Sequence, residues 1–343
     1  MMTVQLYAHT SNIDDMNERR AICRLTRTLQ SSDCGRSPDN HYIFIGNVDP
    51  SKDPNLRAQG HLTQLDGVLL GHNFIAIVDF KNYFDPIEAN KLDGHWFVRS
   101  GRRRKLVKGG SKKNPYRQAR SARRVLHDYL VALEPSLFGN YNQKSWDAIY
   151  SFILFHPALH PQSQLPPLGK EDYWLRFRSV DAIAELALST HSSAIKLSRE
   201  KMEALAQNAF LAQPWREMNN LLKNEWGYMV VQESKDTTPI RVRLWRHDDF
   251  TIGRSSKYGH RIALEHNKVS RAHARITVDD NNNIHIYDLE SKNGTFVEGR
   301  PINSKSGQIL SENSQVQLGG TESDTCHIWF EKKPVSMRTY STQ

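Results

Sequence analysis

Apolar positions near the amino terminus repeat with the period of an α-helix. Within residues 14–30, Ile22, Leu25 and Leu29 recur at intervals of three and four among polar side chains, as expected of an amphipathic helix. Two strand-like apolar runs follow at 65–70 and 74–80, and the residues between them, Gly71-His72-Asn73, are typical of a hairpin turn. The pattern predicts a helix followed by two adjacent antiparallel strands.

Strand and helix patterns continue to about residue 224. A loop rich in glycine and lysine ends at Asn114-Pro115, and a helix is predicted over 116–133. Residues 151–155 predict a buried strand, while 179–224 have a mostly helical pattern with a break at 213–215. We therefore expect a domain of mixed strands and helices over 14–165 and a helical extension over 166–231.

The pattern changes after residue 231. Residues 232–239 are polar and end in proline, which is typical of a linker. From 240 to 332, short β-rich runs alternate with turns at the spacing of an all-β sandwich. Residues 333–343 are expected to form a flexible tail. The chain is thus expected to contain two folded domains.

Composition limits the class of protein. The 343 residues are 38% hydrophobic and 24% charged, which is typical of a globular chain. No apolar run approaches the roughly 20 residues that cross a bilayer, and the amino terminus lacks a signal-peptide core. The three cysteines lie far apart, without the paired spacing of a zinc site or a disulfide framework. These features predict a cytoplasmic protein with no membrane partner.

The positive charge is concentrated in one segment. The formal net charge is +9, and twelve lysines or arginines lie between Arg99 and Arg124 with no acidic residue among them. Concentrated basic charge is typical of a nucleic-acid partner, because neutralised phosphates release counterions. The charge alone is equally compatible with a solvated basic loop that binds nothing in particular.

Three polar clusters lie in predicted loops of the carboxy-terminal sandwich. They are Gly253-Arg254, the Ser-Arg-Ala-His run at 270–273 and the Asn-Gly-Thr run at 293–295. Loops at one end of a sandwich converge, so distant residues can form one pocket. Arginine, hydroxyl and amide groups can hold a phosphate dianion and a peptide backbone.

In order and spacing, these clusters resemble the forkhead-associated (FHA) family. The resemblance implies a phosphothreonine-peptide site in which Arg254 and Ser270 hold the phosphate, Arg271 lies beside the peptide and Asn293 hydrogen-bonds its main chain. Lys292 departs from the serine or threonine often found there; it either adds a charge to the phosphate site or points into solvent. Bracing and turn-forming roles are implied for His273, Thr295, Gly253 and Gly294.

A second polar set lies on the predicted amino-terminal hairpin. Asp79 and Lys81 project to the same side of one strand, and strand pairing could bring Asp66 beside them. Two carboxylates and a lysine at the end of a buried strand suit a hard divalent cation, and oxygen ligands favour Mg²⁺ over Zn²⁺. The ordinary alternative is a solvated ion pair.

With its neighbours, this set resembles the nuclease-related domain of the PD-(D/E)xK superfamily. The resemblance implies an α/β restriction-endonuclease-like domain with a helical extension, in addition to the all-β sandwich. It implies that Asp66 and Asp79 bind Mg²⁺ or Mn²⁺ and that Lys81 orients the attacking water. Glu18 would support a ligand or water, and Gln118 would position the lysine or a phosphate. The matching residues are Glu18, Asp66, Asp79, Lys81, Trp96, Asn114, Pro115 and Gln118.

The basic segment would then hold the nucleic-acid backbone. Arg117, Arg120 and Arg124 lie three and four residues apart, on one face of the predicted helix. Backbone contacts position a substrate without reading its sequence, so weak sequence preference is expected. The remaining cations assigned to this surface are Arg102, Arg103, Arg104 and Lys105.

The leading hypothesis is a phosphorylation-regulated, metal-dependent nuclease, with DNA favoured as substrate. Its FHA domain would bind a phosphothreonine protein, either a serine/threonine kinase or a kinase substrate, in bacterial stress or antiviral (phage) defence. Docking would localise the nuclease or bring two copies together, so self-association is among the expected interactions. A non-catalytic adaptor that binds nucleic acid without cutting it and an RNA-directed enzyme are the alternatives.

Overall fold

The protein divides into two compact units, residues 1–220 and 221–343, each with its own apolar core. A computed structural model describes residues 4–9, 15–31, 41–49, 64–83, 85–107, 114–138, 143–223, 225–255, 259–279, 281–303, 306–321 and 325–332. Across these ranges, no helix has both the length and the apolar character needed to cross a membrane. The predicted tail, 333–343, lies outside the described residues.

Strands and helices alternate in the first unit. Its strands are β1 (Val4–Ala8), β2 (Tyr42–Val48), β3 (Leu65–Gly71), β4 (Phe74–Asn82), β5 (Ile87–Ala89), β6 (Trp96–Ser100), β7 (Arg103–Leu106), β8 (Ile149–His156), β9 (Leu175–Ser179) and β10 (Gln213–Pro214). Its α-helices are α1 (Met16–Ser31), α2 (Pro115–Leu133), α3 (Ile183–Ser189), α4 (Arg199–Ala204) and α5 (Arg216–Lys223).

Seven strands form one mixed sheet in the order β10-β1-β2-β3-β4-β8-β9. The central strand β4 pairs antiparallel with β3 and parallel with β8. All of β4 is buried except Phe80 and Asn82, which explains its continuous apolar run, because a strand covered on both faces has no polar side. Helices α1 and α2 both contact β4, so its polar carboxyl end lies among ordered elements.

The main elements predicted for this unit are confirmed. Helix α1 buries Ile22, Leu25 and Leu29 completely, and strands β3 and β4 are joined by a turn at 72–73. The expected helical extension over 166–231 is corrected, because β9 pairs with β8 and β10 pairs with β1 at the two edges of the sheet. Residues 166–220 therefore complete the first unit, and 225–231 belong to β11 of the second unit.

A second, small sheet carries part of the basic segment. Its strand order is β5-β6-β7. Trp96 is fully buried on one side of it and packs against Phe177 of β9 with ring centroids 5.2 Å apart. All residues of β7 are exposed. The small sheet is thus anchored to the first unit by its buried face, while β7 remains accessible to solvent.

The second unit is a sandwich of two sheets, as predicted. Its strands are β11 (Glu225–Gln232), β12 (Ile240–Trp245), β13 (Asp249–Arg254), β14 (Ile262–Leu264), β15 (Ala274–Val278), β16 (Ile284–Asp288), β17 (Thr295–Val297), β18 (Arg300–Pro301), β19 (Gln308–Leu310), β20 (Val316–Leu318) and β21 (Cys326–Lys332). The sheet orders are β12-β11-β21-β20-β17-β18 and β14-β13-β15-β16-β19. Apolar residues of both sheets share one core.

The expected linker at 232–239 does not separate the two units. Strand β11 pairs with both β12 and β21, so residues 233–239 form the connection between two adjacent strands of one sheet. Met229 and Val231 of β11 are buried in the sandwich core. Polarity and a terminal proline are typical of hairpin connections as well as of linkers, and the division instead falls between residues 220 and 221.

This assignment predicts which carboxy-terminal fragment folds. Fragment 221–343 should unfold cooperatively in urea, whereas fragment 240–343 should be largely unfolded because it lacks β11. Burial of Met229 and Val231 alone contributes about 3–6 kcal/mol, which is comparable with the whole stability of a small domain. Circular dichroism and amide-resolved NMR measure the difference. Equal stability of the two fragments would contradict the assignment.

Candidate active site and phosphopeptide site

The hairpin of β3 and β4 brings Asp66 and Asp79 together. Gly67 lies opposite Val78, and the same register continued by one residue places Asp66 opposite Asp79. Residues opposite each other in a sheet project to the same face. The backbone N–H of Phe80 donates to Asp66 Oδ2 at 2.7 Å, which holds this carboxylate against the end of β4.

Lys81 completes the set on the same face. Its Nζ donates to Asp79 Oδ1 at 2.6 Å, and both residues are only 7% exposed. Nζ also lies 3.4 Å from Gln118 Oε1 on α2. The structure therefore brings Asp66, Asp79, Lys81 and Gln118 into one cluster, as their order along the chain led us to expect.

Burial and neighbouring charges shift the pKa values of Asp66 and Lys81. Burial raises the pKa of Asp66 well above its ordinary value, and the nearby Asp79 raises it further, while Lys81 acts in the opposite direction. Burial lowers the pKa of Lys81, but the Asp79 and Asp66 carboxylates outweigh it, so the lysine pKa is raised. Lys81 is therefore a stable ammonium at neutral pH.

Glu18 lies in the first turn of α1 and is partly buried. Burial, followed by the neighbouring Asp15, raises its pKa to about 7. Its charge also raises the pKa of Asp66, so Glu18 is electrostatically coupled to the cluster. The charges of Asp79 and Glu18 thus both raise the pKa of Asp66, and the Lys81 ammonium opposes them.

A hard cation suits the oxygen atoms of this cluster. Asp79 Oδ2 is buried and, within the described residues, has no hydrogen-bond partner, and such an atom is costly to leave unsatisfied. In the same ranges, no group of three or more His, Cys, Asp or Glu side chains is arranged to hold a metal ion. Asp66 and Asp79 could therefore supply two ligands, with the remaining positions open to water or phosphate oxygens.

Trp96 and Asn114 organise the neighbourhood of the cluster. Asn114 caps α2 by accepting from the N–H of Arg117 at 2.7 Å, and its amide donates to the carbonyls of Leu92 and Gly94 at 2.6 Å each. Trp96 Nε1 donates to the same Leu92 carbonyl at 3.0 Å. The motif residues therefore tie the small sheet to the first turn of α2, from which Gln118 reaches Lys81.

The three arginines predicted on one helix face share the exposed face of α2. Arg117, Arg120 and Arg124 are all exposed. Arg117 approaches Asp93 at 3.8 Å and Arg124 approaches Asp128 at 4.0 Å; such exposed pairs are weak and can be exchanged for a phosphate. This face can therefore carry a polyanion.

The cations at 102–105 lie at the β6–β7 turn and along β7, where they have different surroundings. Arg104 donates to Glu88 at 2.7 Å, and Arg99 lies 3.1 Å from the same carboxylate. Arg102, Arg103 and Lys105 are exposed. Arg123, although it belongs to the same basic segment, is structural: it donates to the carbonyl of Ile149 at 2.7 Å and lies over the rings of Trp146 and Trp174.

In the second unit, a buried histidine connects the loops that carry the predicted phosphate site. The N–H of Ser270 donates to His273 Nδ1 at 2.9 Å, and His273 Nε2 donates to the carbonyl of Gly294 at 3.1 Å. Burial lowers the pKa of His273, so the ring is neutral, as both contacts require. Ser270 Oγ accepts from the N–H of Lys292 at 2.9 Å, which adds a second link between the two loops.

The candidate phosphopeptide residues surround this linked pair of loops. The N–H of Arg254 donates to the carbonyl of Ser270 at 2.9 Å, so the end of β13 joins them. Arg254, Arg271 and Lys292 are exposed, as is Asn293, whose amide donates to the carbonyl of Lys268 at 2.8 Å. The structure thus gathers all five candidates at one end of the sandwich.

Two glycines are required for different reasons. Gly294 has φ +79°, a left-handed conformation that suits glycine, as the turn prediction requires. Gly253 has no such φ; a Cβ there would lie 2.2 Å from the carbonyl oxygen of Arg271. Its predicted turn role is therefore corrected to one of close approach between loops. His260, which contacts that carbonyl, and Asp288, which accepts from Thr295 Oγ1 at 2.7 Å, brace the pocket without having been assigned from the sequence.

The first unit is thus an α/β domain of a nuclease-like class, and the second is a β-sandwich of a peptide-binding class. The chain carries a nuclease-related domain and an FHA domain: the family model "Nuclease-related domain" matches residues 17–156, and the model "FHA domain" matches residues 250–319. The predicted architecture is confirmed. A search of curated proteins returned no match.

Solved structures similar to this chain are FHA domains. The FHA domain of the CT664 protein from Chlamydia trachomatis is 28% identical, with 31% of this chain and 95% of that chain covered and a TM-score of 0.26. The amino-terminal FHA domain of Rad53p from S. cerevisiae, solved with a phosphothreonine peptide, is 20% identical, with 31% and 94% covered and a TM-score of 0.27.

The raised pKa of Glu18 predicts a pH-dependent stability. A carboxyl group whose folded pKa of about 7 exceeds its ordinary 4.5 binds more protons in the folded state, so the free energy of unfolding should fall as pH rises from about 4.5 to 7. Glu18→Gln should remove the contribution of Glu18 to this dependence, leaving that of Asp66, and should be more stable than wild type at pH 8 by about 2 kcal/mol after a discount for partial exposure. Urea unfolding in EDTA at pH 5 and pH 8 measures it.

The exposed Glu217 of α5 provides a matched control. Glu217→Gln should retain the wild-type pH dependence. If Glu18→Gln also retained it in full, the pKa of Glu18 would not be raised by burial and Asp15 in the way described.

Proposed function

We propose that this protein is a metal-dependent nuclease that is directed by phosphopeptide binding. The observation that supports the nuclease most directly is the buried pair of Asp79 and Lys81, 2.6 Å apart, with Asp66 opposite Asp79 and an unpartnered Asp79 oxygen within the described chain. Carboxylates gathered at low exposure destabilise a fold unless a cation offsets their charge. The matching nuclease-related family model agrees with this interpretation.

Asp66 and Asp79 would hold Mg²⁺ or Mn²⁺, which when bound would offset charge that develops on a scissile phosphate. Lys81 is an ammonium because its pKa is raised; it therefore cannot accept a proton, and it would act by donating a hydrogen bond to the attacking water or to a phosphate oxygen. Gln118 would hold Nζ in place through its 3.4 Å contact. Glu18, coupled to Asp66, would support a ligand or a water molecule.

The exposed cations would bind the substrate backbone. Helix α2 carries Gln118 as well as Arg117, Arg120 and Arg124. A bound strand could therefore run from the exposed face of this helix to the carboxylate cluster. Such contacts neutralise phosphates without reading bases. We therefore propose a nucleic-acid substrate, with DNA favoured, and weak sequence preference.

The sandwich would capture a phosphothreonine peptide. The Ser270 hydroxyl already accepts from Lys292 N–H, so its own proton can be donated to a phosphate, and the guanidiniums of Arg254 and Arg271 supply charge-assisted hydrogen bonds. Lys292 would add a further positive charge, and Asn293 would contact the peptide main chain. The matching FHA family model supports this assignment.

The two activities together suit kinase signalling. A phosphorylated kinase or kinase substrate would bring the nuclease to its target, or bring two copies of the chain together, in the cytoplasm. Antiviral defence and the response to stress are contexts in which such control of a damaging enzyme would be useful. A cut made only after phosphorylation would protect the cell's own nucleic acid.

A non-catalytic adaptor is the second candidate. It is favoured by the lack, within the described ranges, of a group of three or more metal-binding side chains, and by the hydrogen bond that already links Lys81 to Asp79. In that case the first unit would bind nucleic acid and the sandwich would bind the phosphoprotein, without hydrolysis.

The nuclease proposal predicts the effect of removing one carboxylate. Purified full-length protein, with and without a co-expressed serine/threonine kinase, would be incubated with labelled DNA and RNA in Mg²⁺ or Mn²⁺. Asp79→Asn and Lys81→Met should each lower the cleavage rate at least about a hundredfold, because each removes charge stabilisation at the phosphate. Glu217→Gln should cleave like wild type. Equal inactivity of wild type and Asp79→Asn under all conditions would favour the adaptor.

Phosphopeptide capture predicts a separate set of affinities. An array of phosphothreonine and phosphoserine peptides identifies a ligand, whose affinity is then measured by fluorescence anisotropy. Ser270→Ala and Arg254→Ala should weaken binding about ten- to a hundredfold, as expected for charge-assisted hydrogen bonds, and Lys292→Thr should weaken it mainly at low salt. Arg300→Ala, an exposed site on β18, is the control. Unchanged affinity in Ser270→Ala and Arg254→Ala would exclude this pocket.

A further inference from the structure

One face of the small sheet combines aromatic, apolar and cationic side chains. Glu88, Phe97 and Leu106 lie opposite one another across β5, β6 and β7, and Arg99 lies opposite Arg104 on the same face. The alternating residues Trp96 and Val98 are buried on the other face. Leu106, on the same face as Phe97, is 37% exposed.

Arg104 has a defined orientation on this face. Its guanidinium lies over the ring of Phe97, 5.1 Å from the centroid, and it donates to Glu88 at 2.7 Å. Arg99 binds the same carboxylate from the other side, at 3.1 Å. Although it is held by two contacts, the Arg104 side chain is still 59% exposed. One side of the planar Arg104 guanidinium is therefore exposed to solvent in a defined orientation.

Stability does not account for this arrangement. Exposed ion pairs contribute about 0–1 kcal/mol, and Leu106 is not a member of the apolar cluster around Trp96. An ordered guanidinium on an aromatic ring is, however, a surface on which a nucleobase can stack, because every base has a flat π-face. His95, whose ring lies 6.1 Å from that of Phe97, extends the same platform.

Cations suited to phosphates lie on the same edge strand. Arg103 and Lys105 alternate with Arg104 along β7, so they project from the other side of this edge strand, and Arg102 precedes them in the turn. All three are exposed, and within the described part of the chain they form no ion pair. A strand whose bases stack on one face of β7 would therefore find positive charge at the edge of the sheet for its backbone.

We propose that this face binds single-stranded nucleic acid, with unpaired bases stacked on Arg104 and Phe97 and phosphates bound by Arg102, Arg103 and Lys105. The inference rests on the proposed nuclease function and names its substrate class. A duplex keeps its base faces inside the stack and cannot use the platform, so single strands gain an interaction that duplexes lack. Arg104 thus acts as a stacking group and not as the phosphate ligand that its position in the basic run suggested.

The test compares a single strand with its own duplex. Full-length protein in EDTA, where metal-dependent cleavage cannot occur, is titrated into a mixed-sequence oligonucleotide in both forms, and binding is followed by anisotropy. Arg104→Lys keeps the charge but loses the planar group; it should lower single-strand affinity about tenfold, within the range for loss of one stacked base, with less than about a twofold effect on the duplex. Arg300→Lys, the same substitution at an exposed strand position outside the platform, is the control and should leave both affinities unchanged.

Base stacking also has a direct spectroscopic signature. A 2-aminopurine in the single strand should be quenched on binding to wild type and much less by Arg104→Lys. Wild-type single-strand affinity in Arg104→Lys, or an equal loss on single strand and duplex, would overturn the inference. Thermal unfolding of both variants checks that the exposed substitutions leave the fold intact.

The two proposals fail separately. A protein that binds single strands through Arg104 but never cuts would refute the nuclease and leave the platform intact. A protein that cuts, and whose Arg104→Lys variant cuts single strands as fast as wild type, would refute only the platform.

Discussion

The hydrogen-bonded ion pair between Asp79 and Lys81 is the constraint around which the first unit is organised. Both groups lie at the end of a strand covered on both faces, where an unpaired charge would cost several kcal/mol. Each neighbouring element contributes to this site: β3 supplies Asp66, α1 supplies Glu18 and α2 supplies Gln118. The pair compensates the charge of Asp79, while burial raises the pKa of both Asp66 and Glu18.

The basic segment is not a uniform positive surface. Arg123 is enclosed by aromatic rings and backbone carbonyls and stabilises the packing of α2 on β8. Arg99 and Arg104 share Glu88, whereas Arg102, Arg103 and Lys105 remain exposed. Asn114 and Trp96 tie this surface to α2 through the carbonyl of Leu92, so the cationic sheet and the residue that contacts Lys81 are parts of one rigid arrangement.

In the second unit, a neutral histidine holds the loops of the candidate phosphopeptide site together. His273 joins the loop of Ser270 to that of Gly294 by accepting one hydrogen bond and donating another. Its burial keeps the ring uncharged, so the positive charge of the pocket comes from exposed side chains that can move onto a ligand. A neutral support beneath exposed cations would suit a phosphate dianion, because loops that are already linked lower the cost of ordering on binding.

Local patterns determined much of this protein. The spacing of Ile22, Leu25 and Leu29 predicted α1, the turn at Gly71-His72-Asn73 predicted the hairpin, and period-two alternation placed Asp79 and Lys81 on one side of a strand. The order of the clusters around Ser270 and Asn293 indicated the FHA domain. The helix, the hairpin and the strand alternation depend on neighbours within a few residues, and local backbone geometry is sufficient to express them.

Only the tertiary structure decided what depends on distant partners. Residues 232–239 are a hairpin connection because β11 pairs with β12, and β11 is held in the sandwich by β21, which is about ninety residues further along the chain. The pairing of β9 with β8 was likewise hidden, because a short edge strand has a weak pattern of its own. Arg104 pairs with Glu88, Arg123 lies over the ring of Trp146, and Lys105 is exposed to solvent. The sequence shows which residues are charged, but the tertiary structure determines which groups they contact.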